Sequence, residues 1–135
     1  MQMETETVSS SSKIVHWIAV VLLFLMIAQP SFDNIRALST GALVMGDIQV
    51  DVTAGKMALH IIAMLVGWAG LVLFFRRKKM GAYLSIASHM LGLVAVATQT
   101  PELFDAMPMA AFGVFFVVLF LVTLGPIQAF KSQYT

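Results

Sequence analysis

"MALHIIAMLVGWAGLVLFFRRKKMGAYLSIASHMLGLVAVATQTP", residues 57–101, sets four consecutive cations between two apolar runs. Neither run, 57–75 or 80–101, contains an Asp, Glu, Lys or Arg. A hydrocarbon layer about 30 Å thick is crossed by about 20 helical residues rising ~1.5 Å each, so both runs are long enough for one crossing. The RRKK link allows only a tight reversal, and the stretch predicts an antiparallel pair of transmembrane helices.

Working outward, residues 14–32 and 106–130 are also free of charged side chains. Hydrophobic residues make up 59% of the chain and charged ones 11%, and the mean hydropathy is +0.90, which places it outside soluble globular domains. The runs are continuous rather than alternating over about ten residues, which excludes a β-barrel. The expected fold class is therefore all-α, an integral membrane four-helix bundle. Residues 1–13 read as a polar, disordered cytoplasmic tail, and 14–135 as a single four-span domain with an outer loop at 31–56. Glu4 and Glu6 spoil a basic leader and "MIAQP" (26–30) makes a poor cleavage site, so the first run reads as a retained span.

Cation placement sets the expected orientation. Lys13, Arg76, Arg77, Lys78, Lys79 and Lys131 fall on one side, and only Arg36 and Lys56 on the other. The positive-inside rule then predicts N-in/C-in topology, in a bacterial inner (cytoplasmic) membrane, with Trp17 and Tyr83 as interfacial anchors. In the outer loop, "SFDNIRALSTGALVMG" (31–46) reads as an interfacial helix capped by Ser31 or Asp33, with Phe32, Ile35, Leu38 and Leu43 as its apolar face. "DIQVDVT" (47–53) alternates, with Ile48, Val50 and Val52 on one face of a half-buried strand that needs a partner.

Cysteine is absent, which removes disulfide, thiolate and iron–sulfur chemistry. No Walker loop, HExxH, GxSxG or intramembrane carboxylate pair is present, so a catalytic role is not expected. The net charge of +1 points to no nucleic-acid partner. The ionisable side chains inside the spans are His16, His60 and His89, and such groups mark functional sites in membranes. Counted from the flanking cations, they form a staircase with steps of about 10 Å, too steep for two imidazoles to share one iron. On the third span Gly81, Ser85, Ser88, Gly92, Ala95 and Gln99 recur at helical spacing, a small or polar face. It reads as close helix packing, with Gly92 at the tightest point, or as a polar track flanked by His89. Gly67 and Gly70 form a groove on the second span. Met57, His60 and Met64 share a face, with Met107 and Met109 near the same surface, and compete as soft copper ligands with plain apolar filling. Any metal remains unassigned.

Two resemblances follow from these residues. "KIVHW" (13–17) and "ALHIIAMLVGWAGLVLFFRR" (58–77) resemble the first two helices of prokaryotic cytochromes b561, which implies His16 and His60 as b-type haem half-ligands. The fourth helix of that family supplies further histidines, whereas "MAAFGVFFVVLFLVTLGPIQAF" (109–130) has none. The four-span size, long first outer loop and "FFRRKKMGAYLSIASHMLG" hairpin (74–92) resemble small DoxX-like membrane proteins, some of which are associated with quinone-linked oxidoreductases. The leading functional expectation is a non-catalytic accessory or assembly subunit, in contact with the lipid bilayer and with other membrane subunits or a second copy of itself. The alternatives are a b-type haem or quinone module moving electrons or protons, and a passive transporter of a small neutral or lipophilic solute.

Overall fold

The two halves of the quoted stretch form helices α2 (Ala54–Phe75) and α3 (Lys79–Gln99), and the cations between them make the turn. The computed structural model describes residues 9–135. Helix α1 spans Ser10–Thr40, a hairpin of β1 (Ala42–Met45) and β2 (Ile48–Asp51) follows it, and the short α4 (Pro101–Ala106) leads into α5 (Met109–Ala129). A 3-10 turn at Lys131–Gln133 ends the ordered elements. Helices α1, α2, α3 and α5 are each long and apolar enough to cross a membrane, and they form an antiparallel helical membrane bundle.

Helix α3 packs most extensively on α2, α1 packs on α2 and α5, and α5 packs on α3 and α1, so the four spans close a ring. Their outward faces carry large apolar side chains such as Ile14, Leu25, Leu65, Val114 and Leu121, all exposed, as contact with lipid tails requires. Lipid tails are as apolar as leucine, so burial alone gives little drive for helix association, and close packing must provide it. The α2–α3 turn achieves this through Gly81. A Cβ there would lie 2.6 Å from Phe74 Cα and 2.7 Å from the Gly70 carbonyl, both backbone atoms.

Three sequence expectations are corrected. Residues 1–8 of the expected tail lie outside the described residues, but Ser10–Lys13 are already helical, with Ser9 Oγ accepting from Ser12 N at 3.1 Å as N-cap. The interfacial helix expected from Ser31 is not separate: α1 runs through Pro30 to Thr40 and stops at Gly41, which caps it at φ 74. Ser31 is no cap, because its hydroxyl donates back to Ile27 O at 2.7 Å, and Leu43 belongs to β1. The β2 alternation holds, with Val50 and Val52 buried, and its partner is β1, registered Leu43 to Val50 across a Gly46-Asp47 turn with Gly46 at φ 58.

The bundle has two unlike ends. At one, Arg77 Nη1 donates to Ser12 Oγ at 3.1 Å, Lys79 N to Thr135 O at 2.9 Å and Thr135 N to Arg77 O at 3.0 Å, which gathers the first turn of α1 and Thr135 around the basic turn. At the other, Ala37, Leu43, Val50, Val52, Met57 and Leu103 form a small apolar core under the hairpin.

Candidate functional site

Toward the basic end, Val20 and Leu23 of α1 belong to one tight core with Leu119 and Val122 of α5. Toward the hairpin end the ring opens into a cavity of about 450 Å³. Its walls are mostly apolar, including Met26 of α1, Leu43 of β1, Leu93 and Val96 of α3, and Phe112 and Phe116 of α5. The ionisable or polar side chains lining it are Ser31, Asp33, Asn34, His60, Ser88 and His89, with no Lys or Arg among the lining residues.

His60 is 5% exposed, lines this cavity, and its Nε2 is fully buried without a hydrogen-bond partner, the one such side-chain atom among the described residues. A buried polar atom left unpaired costs about 1–3 kcal/mol, and this nitrogen is shielded from the cavity as well as from the exterior.

His89 is placed differently. Its Nδ1 lies 2.7 Å from Ser85 O and its Nε2 lies 3.4 Å from Met26 O, both carbonyl acceptors. Each ring nitrogen thus faces a carbonyl acceptor, and the tautomer decides which of them donates. The Met26 carbonyl is itself unusual. Proline has no N–H, so Pro30 cannot make the helical bond to the carbonyl four residues back, which is that of Met26. The His89 ring, from α3, therefore lies against the α1 carbonyl that Pro30 leaves without its helical donor. Phe115 packs against the His89 ring at a centroid distance of 5.3 Å.

The other polar groups are engaged within the protein. Ser31 Oγ, besides donating to Ile27 O, accepts from Trp68 Nε1 at 2.9 Å, and Ser88 Oγ donates across to Ala63 O at 2.8 Å. Ser85 Oγ donates to Gly81 O at 2.8 Å, and Gln99 Oε1 accepts from Leu59 N at 3.1 Å. The small face of α3 therefore looks at α2: a Cβ on Gly70 would sit 2.8 Å from Ser85 N, and one on Gly67 would sit 2.6 Å from Ser88 Oγ. Ala95 is fully buried. Gly92 is the exception and corrects the expectation of closest packing there. Nothing lies within 4 Å of a Cβ built on it, and it lines the cavity.

His16 is a structural residue at the opposite end. Its Nε2–H donates to Phe75 O at 3.1 Å, which makes Nδ1 the acceptor for the Tyr134 hydroxyl at 2.7 Å. The ring stacks on Phe74 at 5.5 Å, and Arg77 covers Tyr134 at 5.4 Å. Burial raises the Tyr134 phenol above its ordinary value near 10.0, against the opposing pull of Arg77. His16 contacts the last residue of α2, whereas His60 sits near its start, about 22 Å away along the helix axis. One chain cannot bring that pair to one iron, and both His16 nitrogens are already used. Among the methionines, Met64 and Met107 line the cavity with His60, Met57 is buried beneath the hairpin, and Met109 is exposed. Among the described residues no group of three or more His, Cys, Asp or Glu gathers to hold a metal ion.

Sequence reading singled out the histidines but not Pro30 with the Met26 carbonyl, nor Tyr134 as the partner of His16. A proline inside an apolar run was the available signal for the first, since it always frees the carbonyl four residues earlier in a continuous helix. No family model matches the chain, and no curated protein or solved structure is significantly similar to it.

Proposed function

We propose that this chain is a multi-pass membrane protein that holds a small lipophilic molecule in the cavity beneath its hairpin, as a passive carrier or reservoir. The observation that carries the reading is the cavity of about 450 Å³ itself, apolar over most of its wall, with His60 and His89 among its few polar lining residues. Ligand pockets of about 300–1,000 Å³ with apolar walls and a few placed polar groups have this composition. Quinones and quinols fall within the class by size and polarity, without any redox step being required of the protein. An accessory subunit needs only apolar outer faces, which lipid covers equally well, and it gives no reason for a cavity of this size inside the ring. The gathering of six cations at one end supports an orientation with that end, and both termini, in the cytoplasm, and the cavity toward the outer leaflet.

The reading is tested with a diazirine-bearing dodecanol photolysed in nanodiscs, with the adducts mapped by mass spectrometry. Labelling is expected at Leu93 and Phe112 inside the cavity, beyond the background at lipid-facing Val114 and Leu121. Gly92→Leu fills open space, so it should cut cavity labelling about tenfold and leave the background and thermal stability unchanged. Labelling confined to the outer faces, or indifferent to Gly92→Leu, would remove the cavity as a binding site.

A further inference from the structure

We infer that the cavity takes its guest sideways from the bilayer, through an opening between the hairpin-side half of α1 and the first half of α5, and that its ligands are chain-shaped lipophiles already dissolved among the acyl tails. The inference rests on the cavity being a ligand site and concerns how that site is reached and by what. Four residues line the cavity and are also exposed, which marks its rim: Pro30 of α1, Val44 of β1, and Pro108 and Ala111 at the start of α5. They stand on the two sides of one helix pair.

The other sides are closed. Leu23, Leu119 and Val122 belong to the core that forms the floor toward the basic end, and buried Leu43 and Leu103 line the roof. Trp68 Nε1 donating to Ser31 Oγ at 2.9 Å ties α2 to α1, and Ser88 Oγ donating to Ala63 O at 2.8 Å ties α3 to α2. The Phe115 ring against His89, at 5.3 Å, closes α5 on α3, and Phe112 stacks on Phe104 of α4 at 5.8 Å. The α1–α5 side has no such tie at this level among the described residues: α5 buries no side chain before Leu119, and residues 108–111 are all exposed.

Depth decides what the opening faces. With Lys13 at the inner boundary, Pro30 lies about 26 Å along α1 at ~1.5 Å per residue, still inside a hydrocarbon layer about 30 Å thick. Leu25 of α1 and Val114 of α5, both exposed, carry the lipid-facing surface up to it. A chain entering here passes from acyl tails into an apolar cavity without exposing apolar surface to water on the way.

The test uses a tail that cannot leave the bilayer: phosphatidylcholine with a diazirine at the end of one acyl chain, photolysed in nanodiscs beside the free diazirine-bearing dodecanol, with adducts read at Leu93 on the cavity wall. Both probes should label Leu93 in the native chain. Ala111→Trp and Val44→Trp narrow the opening from opposite sides at exposed positions, and each should cut lipid labelling of Leu93 about fivefold while equilibrated dodecanol labelling stays within twofold. Val114→Trp, exposed and outside the cavity lining, should leave both signals within twofold. Leu93 labelled by dodecanol but not by the tethered tail would overturn the side entry. So would lipid labelling indifferent to both rim variants, or an equal loss of both probes in both, because the substitutions would then act on the cavity and not on its opening. Absence of labelling at Leu93 by either probe would instead remove the cavity reading itself, and the entry with it.

Discussion

Gly81→Ala is the smallest substitution that tests how α2 and α3 are held together. The added methyl carbon would sit 2.6 Å from Phe74 Cα and 2.7 Å from Gly70 O, and still closer to Phe74 N, where ordinary contacts begin at 3.4 Å. All three are backbone atoms, so no rotamer change relieves the clash, and the helices must separate or the turn must unwind. Overpacking of this kind costs about 1–3 kcal/mol. Separation also stretches the bond from Ser88 Oγ to Ala63 O, worth about 0.6 kcal/mol between membrane helices, so the expected loss is about 2–4 kcal/mol. Unfolding by denaturing detergent, followed by circular dichroism, measures it against Gly125→Ala. Gly125 is also helical, and nothing lies within 4 Å of its built Cβ, so alanine there should be neutral or slightly stabilising. Equal stabilities for the two variants would refute the close approach at the turn, and with it the argument that packing rather than apolar burial joins this pair.

Other substitutions separate stability from binding. His60→Leu should raise the stability of the ligand-free protein by about 1 kcal/mol, because an unpaired buried nitrogen is replaced by an apolar side chain, while photolabelling in the cavity is unchanged. Pro30→Ala should likewise stabilise the free protein, by about 1–2 kcal/mol in the same unfolding assay, since it adds the missing helical bond to Met26 O. Tyr134 makes the protein alkali-sensitive: its phenol is held above 10.0, so its contribution is fully present below that pH and is lost as pH rises through the folded value. Tyr134→Phe should flatten that alkaline fall in melting temperature, while lowering stability at neutral pH by about 1–3 kcal/mol because His16 Nδ1 loses its donor.

The four spans were legible because hydropathy and length decide a crossing almost alone, and uncharged runs of about 20 residues leave little choice. Boundaries were less so. Pro30 reads as a helix end by the habits of soluble proteins, yet α1 passes through it, and its buried side continues with Ser31, Asn34 and Ala37. In a membrane protein, neighbouring side chains and helices compensate for a backbone bond lost to proline. The alternating β2 was visible, but β1, "ALVM", is apolar throughout and carries no period-two signal. The turn between them was divided in the reading, with Gly46 given to a helix and Asp47 to a strand.

The candidate site was legible residue by residue and not as an assembly, for a reason the stripe on α3 makes plain. Periodicity reports the azimuth of a side chain about its own helix and is silent on how far away the next helix lies. Gly81, Ser85, Ser88 and Gly92 share one azimuth, yet backbone blocks a Cβ at Gly81, Ser85 and Ser88 press on Gly70 and Gly67, and nothing lies within 4 Å of a Cβ at Gly92. Contact is closest near the turn and lapses at Gly92, and at the far end α3 reaches α2 through the long Gln99 side chain, which bonds Leu59 N. The open space at Gly92 belongs to the cavity, and His60 and His89 stand on its wall because they lie beyond the tight turn. His16, with similar apolar neighbours in sequence, lies at the closed end and is fully bonded. What distinguishes a structural histidine from a cavity-lining one here is its distance from the turn that forces the helices together.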